Sequence, residues 1–231
     1  MKKLTILVIA AILCCMISCE NEDGVNSVGS KNNPEFVEAV DLGLSVKWAS
    51  CNVGATKPEE YGDYFAWGET SPKATYNWRT YKYCKGSNNT LTKYCTDSYY
   101  GTVDNKTTLD PEDDAAHVNW GGAWRMPTRA EQNELLNNCT WTKTTQNGVK
   151  GYIVSSKKNS HSIFLPASSC CDDTSLNFVN SYTSYYWSST LGFGNSKGAY
   201  FFSISMSPNR YNGSGYGIDR VCGLSVRPVC P

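Results

Sequence analysis

A glycine-flanked serine and two histidines are the residues of this 231-residue chain that could support hydrolytic chemistry. Residues 194–198 read Gly-Asn-Ser-Lys-Gly, which matches a nucleophile elbow, where a strand precedes the serine and a helix follows it. Here the run from Ala199 to Met206 predicts a strand after Ser196, and only His117 and His161 could act as a base. We interpret the match as coincidental and predict no catalytic residues.

An acidic run from Asp110 to Asp114 offers oxygen ligands for a cation such as calcium. Its spacing differs from that of an EF-hand loop. Asp110 can instead cap a helix, Pro111 suits the first helical position, and the acids favour the positive end of the helix dipole. We therefore predict a capped helix here, with no metal and no cofactor.

The segment from Asn195 to Asp219 has a composition suited to molecular recognition. Sixteen of its 25 residues are Asn, Ser, Tyr, Gly or Asp. Tyr provides contact area at low entropy cost, and Ser, Asn and Gly provide adaptable hydrogen bonds. Segments rich in Ser, Gly and Asn also connect strands in any β-rich domain. Composition alone leaves both interpretations open.

The N-terminus predicts export and lipid attachment. Lys2 and Lys3 precede an apolar stretch that is too short to span a bilayer, and Ser18-Cys19 behind it resembles a bacterial lipobox. We expect a signal peptide over residues 1–18, a lipidated Cys19 and a flexible tether over 19–35. An ordinary secretory signal is the alternative. The acids after Cys19 resemble an export signal, so we expect an outer-membrane lipoprotein on the cell surface.

Composition excludes several classes of protein. The formal net charge is zero, which disfavours a nucleic-acid partner, and 15 Tyr, 7 Trp and 7 Phe exclude disorder of the whole chain. The single apolar run excludes a polytopic membrane protein. Eight cysteines follow Cys19, so disulfides are permitted in an exported chain, but their spacing fixes no pairing and free buried thiols are an alternative.

The elements that must position these residues form one predicted α+β domain over 36–231, with few helices and many short, mostly antiparallel strands. Thr128 and Glu131 form a capping box that begins the clearest helix. Residues 70–109 show no periodicity and are predicted to be a long loop. Alternating or apolar runs predict the strands, which are Val40–Cys51, Gly62–Glu69, 151–155, 161–165, 184–189, 199–206 and 223–229.

Several buried positions can also be assigned. Arg125, Arg220 and Arg227 are predicted to tie strand ends to backbone carbonyl groups. The tryptophans assigned to the core are Trp48, Trp67, Trp124 and Trp187.

Seven ordered motifs resemble the Fibrobacter succinogenes major paralogous domain family from about Val40 to the C-terminus. The motifs are Val40–Ala49, Asn52–Thr56, Tyr61–Thr70, Trp120–Thr128, Ile163–Ala167, Tyr186–Ser189 and Arg220–Val229. The resemblance implies a C-type-lectin-like fold, in the branch that includes formylglycine-generating enzyme. It also implies a ligand-binding role for a secreted or surface lipoprotein, and relatives with a similar ending include proteins diversified by retroelements.

With this resemblance, we expect the tail to form a binding face for a macromolecule or glycan. Phe202, Ile204 and Met206 should face the core, and Tyr200, Phe201, Ser203 and Ser205 should face outward. The predicted ligand-binding residues are Asn195, Tyr200, Phe201, Ser203, Ser205, Asn209, Tyr211, Asn212, Tyr216 and Asp219.

Two other functions remain as alternatives. A structural or fimbria-associated subunit would use the same fold for assembly through an unpaired edge strand. An oxidase like formylglycine-generating enzyme would need Cys222 and Cys230 as a pair of copper-binding thiolates, but the sequence around them lacks the motif of those enzymes.

Overall fold

Short antiparallel strands and two helices make up the regular structure, which confirms an α+β architecture with few helices. The computed structural model describes residues 37–177, 183–204 and 217–231. Every ladder between named strands in these ranges is antiparallel. The predicted signal peptide, Cys19 and the whole tether lie outside the described residues, as do Ser205, Met206, Asn209, Tyr211, Asn212 and Tyr216.

The strands of the described ranges form four small sheets. The first sheet has the order β1 (Ala39–Val40), β2 (Lys47–Ala49) and β11 (Val229–Cys230). The second has the order β3 (Cys139–Gln146), β4 (Val149–Ser156) and β5 (Ser162–Pro166). The third contains β8 (Ser184–Leu191), β9 (Gly198–Ile204) and β10 (Ile218–Asp219), with β9 in the centre. The fourth pairs β6 (Cys170–Asp172) with β7 (Ser175–Asn177).

A 3₁₀ turn and two α-helices lie between the strands β2 and β3. The turn Pro111–Asp113 leads into α1 (Ala115–Trp120), and α2 covers Arg129–Asn138. The expected capping box of α2 is confirmed, because Thr128 accepts from the backbone N–H of Glu131 and Glu131 accepts from that of Thr128. Asp114 rather than Asp110 caps α1, since its carboxylate accepts from the backbone N–H groups of Ala116 and His117.

Two predicted strands are shorter than expected. Only β1 and β2 remain of the strand over Val40–Cys51, because Asp41 accepts from the N–H of Gly43 at 2.7 Å and Gly43 has a left-handed φ of 69°. The run 62–69 contributes a single bridge, Phe65 with Leu224. Residues 70–109 contain no named helix or strand in the described structure, as predicted.

Two clusters of buried apolar side chains fill the interior. Core 1 includes Phe65, Trp67, Trp124 and Trp187, and core 2 is built around Trp48. All four tryptophans assigned to the core are therefore buried. The other large members of core 2 are Leu135, Val154, Leu165, Tyr186, Phe202 and Val229.

The closing segment, residues 220–231, runs along both cores. Its backbone bonds to Phe65 through Leu224, to Trp187 through Ser225 and to Arg125 through Val229. This segment therefore holds elements that are far apart in sequence.

Candidate functional site

The predicted binding face on β9 is only partly accessible. Tyr200 and Ser203 are buried, so the expectation that they face outward is wrong. Tyr200 shares a face of β9 with Phe202 and Ile204, and the guanidinium of Arg129, from α2, lies 3.9 Å from the centre of its ring. The opposite face, which holds Ser203, is also covered, because Ala199 on that face belongs to core 1. Phe202 and Ile204 face the core as predicted.

Phe201 and Asn195 are partly exposed but already have partners within the chain. The Phe201 ring stacks on Tyr185 with centroids 5.9 Å apart. The side chain of Asn195 accepts from the backbone N–H of Lys197 at 3.0 Å, which shapes the turn before β9. Both residues therefore contribute to the sheet and its turn.

Ser196 is not in the setting of a nucleophile elbow. Its side chain is buried, its Oγ accepts from the backbone N–H of Thr96 at 2.9 Å, and β9 follows it where the elbow requires a helix. This geometry agrees with the interpretation that the Gly-x-Ser-x-Gly match is a coincidence.

Asp219 is the predicted tail residue that lies beside a concave surface. It ends β10, opposite Gly198 of β9, and it is partly buried. Burial raises the pKa of its carboxyl group, and the charge of Lys197 and the nearby Trp78 side chain oppose that rise. Trp78 in turn lines a groove of about 470 Å³, which we call the Trp78 groove. Its lining residues are Asn77, Trp78, Arg79, Gly86, Ser87, Asn88 and Asp173.

The first wall of the groove is a loop fixed by its own side chains. The side chain of Asn77 accepts from the backbone N–H groups of Arg79 and Thr80 at 3.0 and 3.2 Å. The carbonyl of Trp78 accepts from the Cys84 thiol at 2.9 Å, and the Trp78 ring packs edge-on against Tyr81. These bonds hold the indole in one position.

The second wall is the turn between β6 and β7. Asp173 has a left-handed φ of 53°, and its carboxylate accepts from the side-chain amide of Asn77 at 2.7 Å. Backbone bonds between Asp173 and Tyr76 join the walls in both directions, at 2.7 and 2.9 Å. Gly223 allows Tyr76 to reach this place, because a Cβ atom there would meet the Tyr76 ring at 2.7 Å.

The acidic run does bring carboxylates together, but lysines occupy their centre. Ligand oxygens of Asp110, Glu112 and Asp113 lie within 4.8 Å of one another. The ammonium group of Lys93 is 2.7, 3.6 and 2.5 Å from these three carboxylates, and that of Lys82 is 3.2 Å from Asp113. The ammonium groups of Lys93 and Lys82 therefore balance the negative charge of the cluster from within the chain.

The thiols of the described residues are all unpaired. Burial, with nearby Asp172 and Cys170, raises the pKa of Cys222 to about 12, so that thiol is protonated at neutral pH. Cys230 lies elsewhere, on β11, where burial raises its pKa while Lys47 and Arg125 oppose the rise. The two thiols that a copper-dependent oxidase would need are thus in different surroundings.

Two of the motif arginines act as predicted, whereas Arg125 mainly pairs with the carboxylate of Glu131, at 2.5 and 2.8 Å, and donates once to the carbonyl of Met126. Arg220 donates to the carbonyls of Lys93 and Tyr94 at 2.8 and 2.9 Å. Arg227 donates to the carbonyls of Ala49 and Phe164, both at 3.0 Å.

Sequence reasoning missed Trp78, Arg79 and Asn88 as groove residues because they lie in the aperiodic segment 70–109. The one available signal was Trp78 itself, which lies between Asn77 and Arg79 in a polar segment and was not among the tryptophans assigned to the core.

Comparisons with known proteins found no matching family model, curated protein or solved structure. Among the described residues, no helix has the length and apolarity needed to cross a bilayer.

Proposed function

We propose that this chain is a surface-exposed lipoprotein whose C-type-lectin-like domain binds an extracellular ligand, with the Trp78 groove as part of its binding surface. In this proposal Cys19 carries the lipid that anchors the protein to the outer membrane. Residues 19–35 form a flexible tether between the lipid and the domain. The motifs shared with the Fibrobacter succinogenes major paralogous domain family support both the fold and the binding role.

One observation carries the proposal: the half-buried indole of Trp78 lines a groove of about 470 Å³ together with the side chains of Asn77 and Asp173, which hydrogen bonds fix in place. Concave sites that combine an aromatic side chain with a few fixed polar groups are typical of ligand recognition. The loop bonds of Asn77 and Asp173 hold these groups in place before a ligand arrives, which lowers the entropy cost of binding.

The anchor can be tested by labelling cells with a palmitate analogue. In cells that express the wild-type chain, the protein should incorporate the label and should be degraded by protease added outside the cells. The Cys19→Ser variant should incorporate no label. Equal labelling of Cys19→Ser would contradict lipidation at this residue.

The binding role can be tested by adhesion of the same cells to immobilised mucin, fibronectin, collagen and neutral polysaccharides. Cells with the wild-type chain should bind at least one probe above vector-only cells, and Trp78→Ala should remove that binding. Phe193→Ala is the matched control, because Phe193 is an exposed aromatic outside the groove. No adhesion above the vector-only level contradicts the binding role.

A further inference from the structure

We propose that the Trp78 groove is a binding site for a neutral carbohydrate, held by direct contacts without a metal ion. This inference rests on the proposed binding function and names its ligand class. A pyranose ring presents a patch of C–H groups on one face and hydroxyl groups around its edge. A complementary site therefore needs an aromatic surface surrounded by both hydrogen-bond donors and acceptors.

The apolar part of the site is the indole of Trp78. The side chain is half-buried, with its ring edge-on to Tyr81, 5.9 Å between centroids, and it still contributes to the lining of the groove. The face of an indole ring is apolar, and such a surface packs against sugar C–H groups.

The polar part combines donors and acceptors at the rim. Arg79 and Asn88 are exposed, and within the described structure their side chains make no hydrogen bond or ion pair. A guanidinium offers five N–H donors, and a side-chain amide offers both donors and an acceptor. One carboxylate oxygen of Asp173 accepts from Asn77, and the other is an acceptor for a ligand hydroxyl.

Charge selects a neutral ligand. Arg79 carries a positive charge on the first wall of the groove, and Asp173 carries a negative charge on the second. An anionic ligand that approaches Arg79 meets the Asp173 carboxylate, and a cationic ligand meets Arg79. Adjacent hydroxyl groups of a sugar donate to the carboxylate and accept from the guanidinium without such a penalty.

The test uses the intact mature lipoprotein in a detergent without sugar head groups, applied to an array of neutral and acidic glycans. Titration calorimetry with the best neutral oligosaccharide then gives its Kd with and without EDTA. We expect neutral glycans to bind and EDTA to leave Kd unchanged. Binding confined to acidic glycans, or lost with EDTA, overturns the proposal.

Variants locate the sugar in the groove. Trp78→Ala should weaken binding by about tenfold or more, since the ring supplies most of the apolar contact. Arg79→Gln and Asn88→Ala each remove polar partners and should weaken it by about three- to tenfold. Both residues are exposed, so these two variants test the site even if Trp78→Ala fails to fold. Phe193→Ala and Lys57→Gln are controls at exposed positions outside the groove and should bind as the wild type does.

The outcomes separate this inference from the proposed function. Unchanged glycan binding in Arg79→Gln and Asn88→Ala places the sugar elsewhere and overturns the site. Adhesion to fibronectin or collagen with no glycan binding overturns the carbohydrate class but leaves the binding function standing. Absence of binding to every probe overturns both.

Discussion

At the scale of single residues, Asp113 combines burial, charge and hydrogen bonding. Burial alone would raise its pKa, but hydrogen bonds from Lys93, Tyr83 and Tyr94 outweigh it and lower the pKa to about 2. Burial, together with the Asp113 carboxylate, raises the pKa of both tyrosines and keeps their phenol groups protonated. The folded state thus favours the ionised form of Asp113 more strongly than the unfolded state does.

This shift predicts a loss of stability in acid. A carboxyl group with a depressed pKa in the folded state stabilises the fold fully above its ordinary pKa, near 3.8, and this contribution disappears as the pH falls through about 2. We expect Asp113 to contribute about 2 kcal/mol at neutral pH. Urea unfolding at pH 2 to 6 should show this drop in the wild type and a smaller one in Asp113→Asn. Parallel pH curves for the two proteins would contradict the assignment.

Sequence reasoning identified some residue roles and missed others for a physical reason. Arg227 lies between apolar residues, so its donors had to meet backbone carbonyls, and this could be predicted. The role of Asp113 could not be predicted, because Lys93 is distant in the chain and reaches it only through tertiary structure. Trp78 was missed as a groove residue for the same reason, since Asp173 and Asp219 come from other elements.

At the scale of elements, α2 was predictable because its signals are local. Thr128 and Glu131 satisfy each other's backbone N–H groups within the first turn. By contrast, β9 was predicted as a strand with one exposed face, but core 1, which includes Ala199, and core 2, which includes Phe202, cover its two faces. The alternation of residues indicates a strand, but it does not reveal how many layers pack on it.

The capping box leads to a prediction for α2. Thr128→Ala removes the acceptor for the N–H of Glu131 and should lower the free energy of unfolding by about 1 kcal/mol. Thr102→Ala, at an exposed loop position, is the control and should change it by less than about 0.5 kcal/mol. Guanidinium denaturation followed by tryptophan fluorescence measures both. Equal stability of Thr128→Ala and the wild type would show that the cap is dispensable.

At the scale of the whole molecule, stability comes from packing and hydrogen bonds within the described domain, where all eight cysteines are free thiols. We therefore expect a reducing agent to leave the melting temperature unchanged. A thiol reagent added to the denatured mature chain should titrate eight groups, because the proposed lipid blocks Cys19. A lower melting temperature under reducing conditions, or fewer reactive thiols, would contradict the free-thiol arrangement.

The closing segment joins the two cores, and its residue Arg227 has a buried side chain that needs several hydrogen-bond partners. Its fully buried guanidinium donates to the side chain of Asn52 at 2.7 Å and to the carbonyls of Ala49 and Phe164. Arg227→Met fills similar space but leaves these three buried acceptors without a donor, at about 1–3 kcal/mol each. We expect the free energy of unfolding to fall by about 3 kcal/mol or more.

Calorimetry and urea denaturation can compare Arg227→Met with Lys57→Met, an exposed control. Val226, before Arg227, belongs to core 1, and Val229, after it, belongs to core 2. Loss of the arginine should therefore destabilise both cores together and keep a single transition at lower temperature. If the variant instead melts in two steps, the cores are held together by contacts other than Arg227. If its stability equals that of the control, the methionine side chain or water compensates for the lost donors.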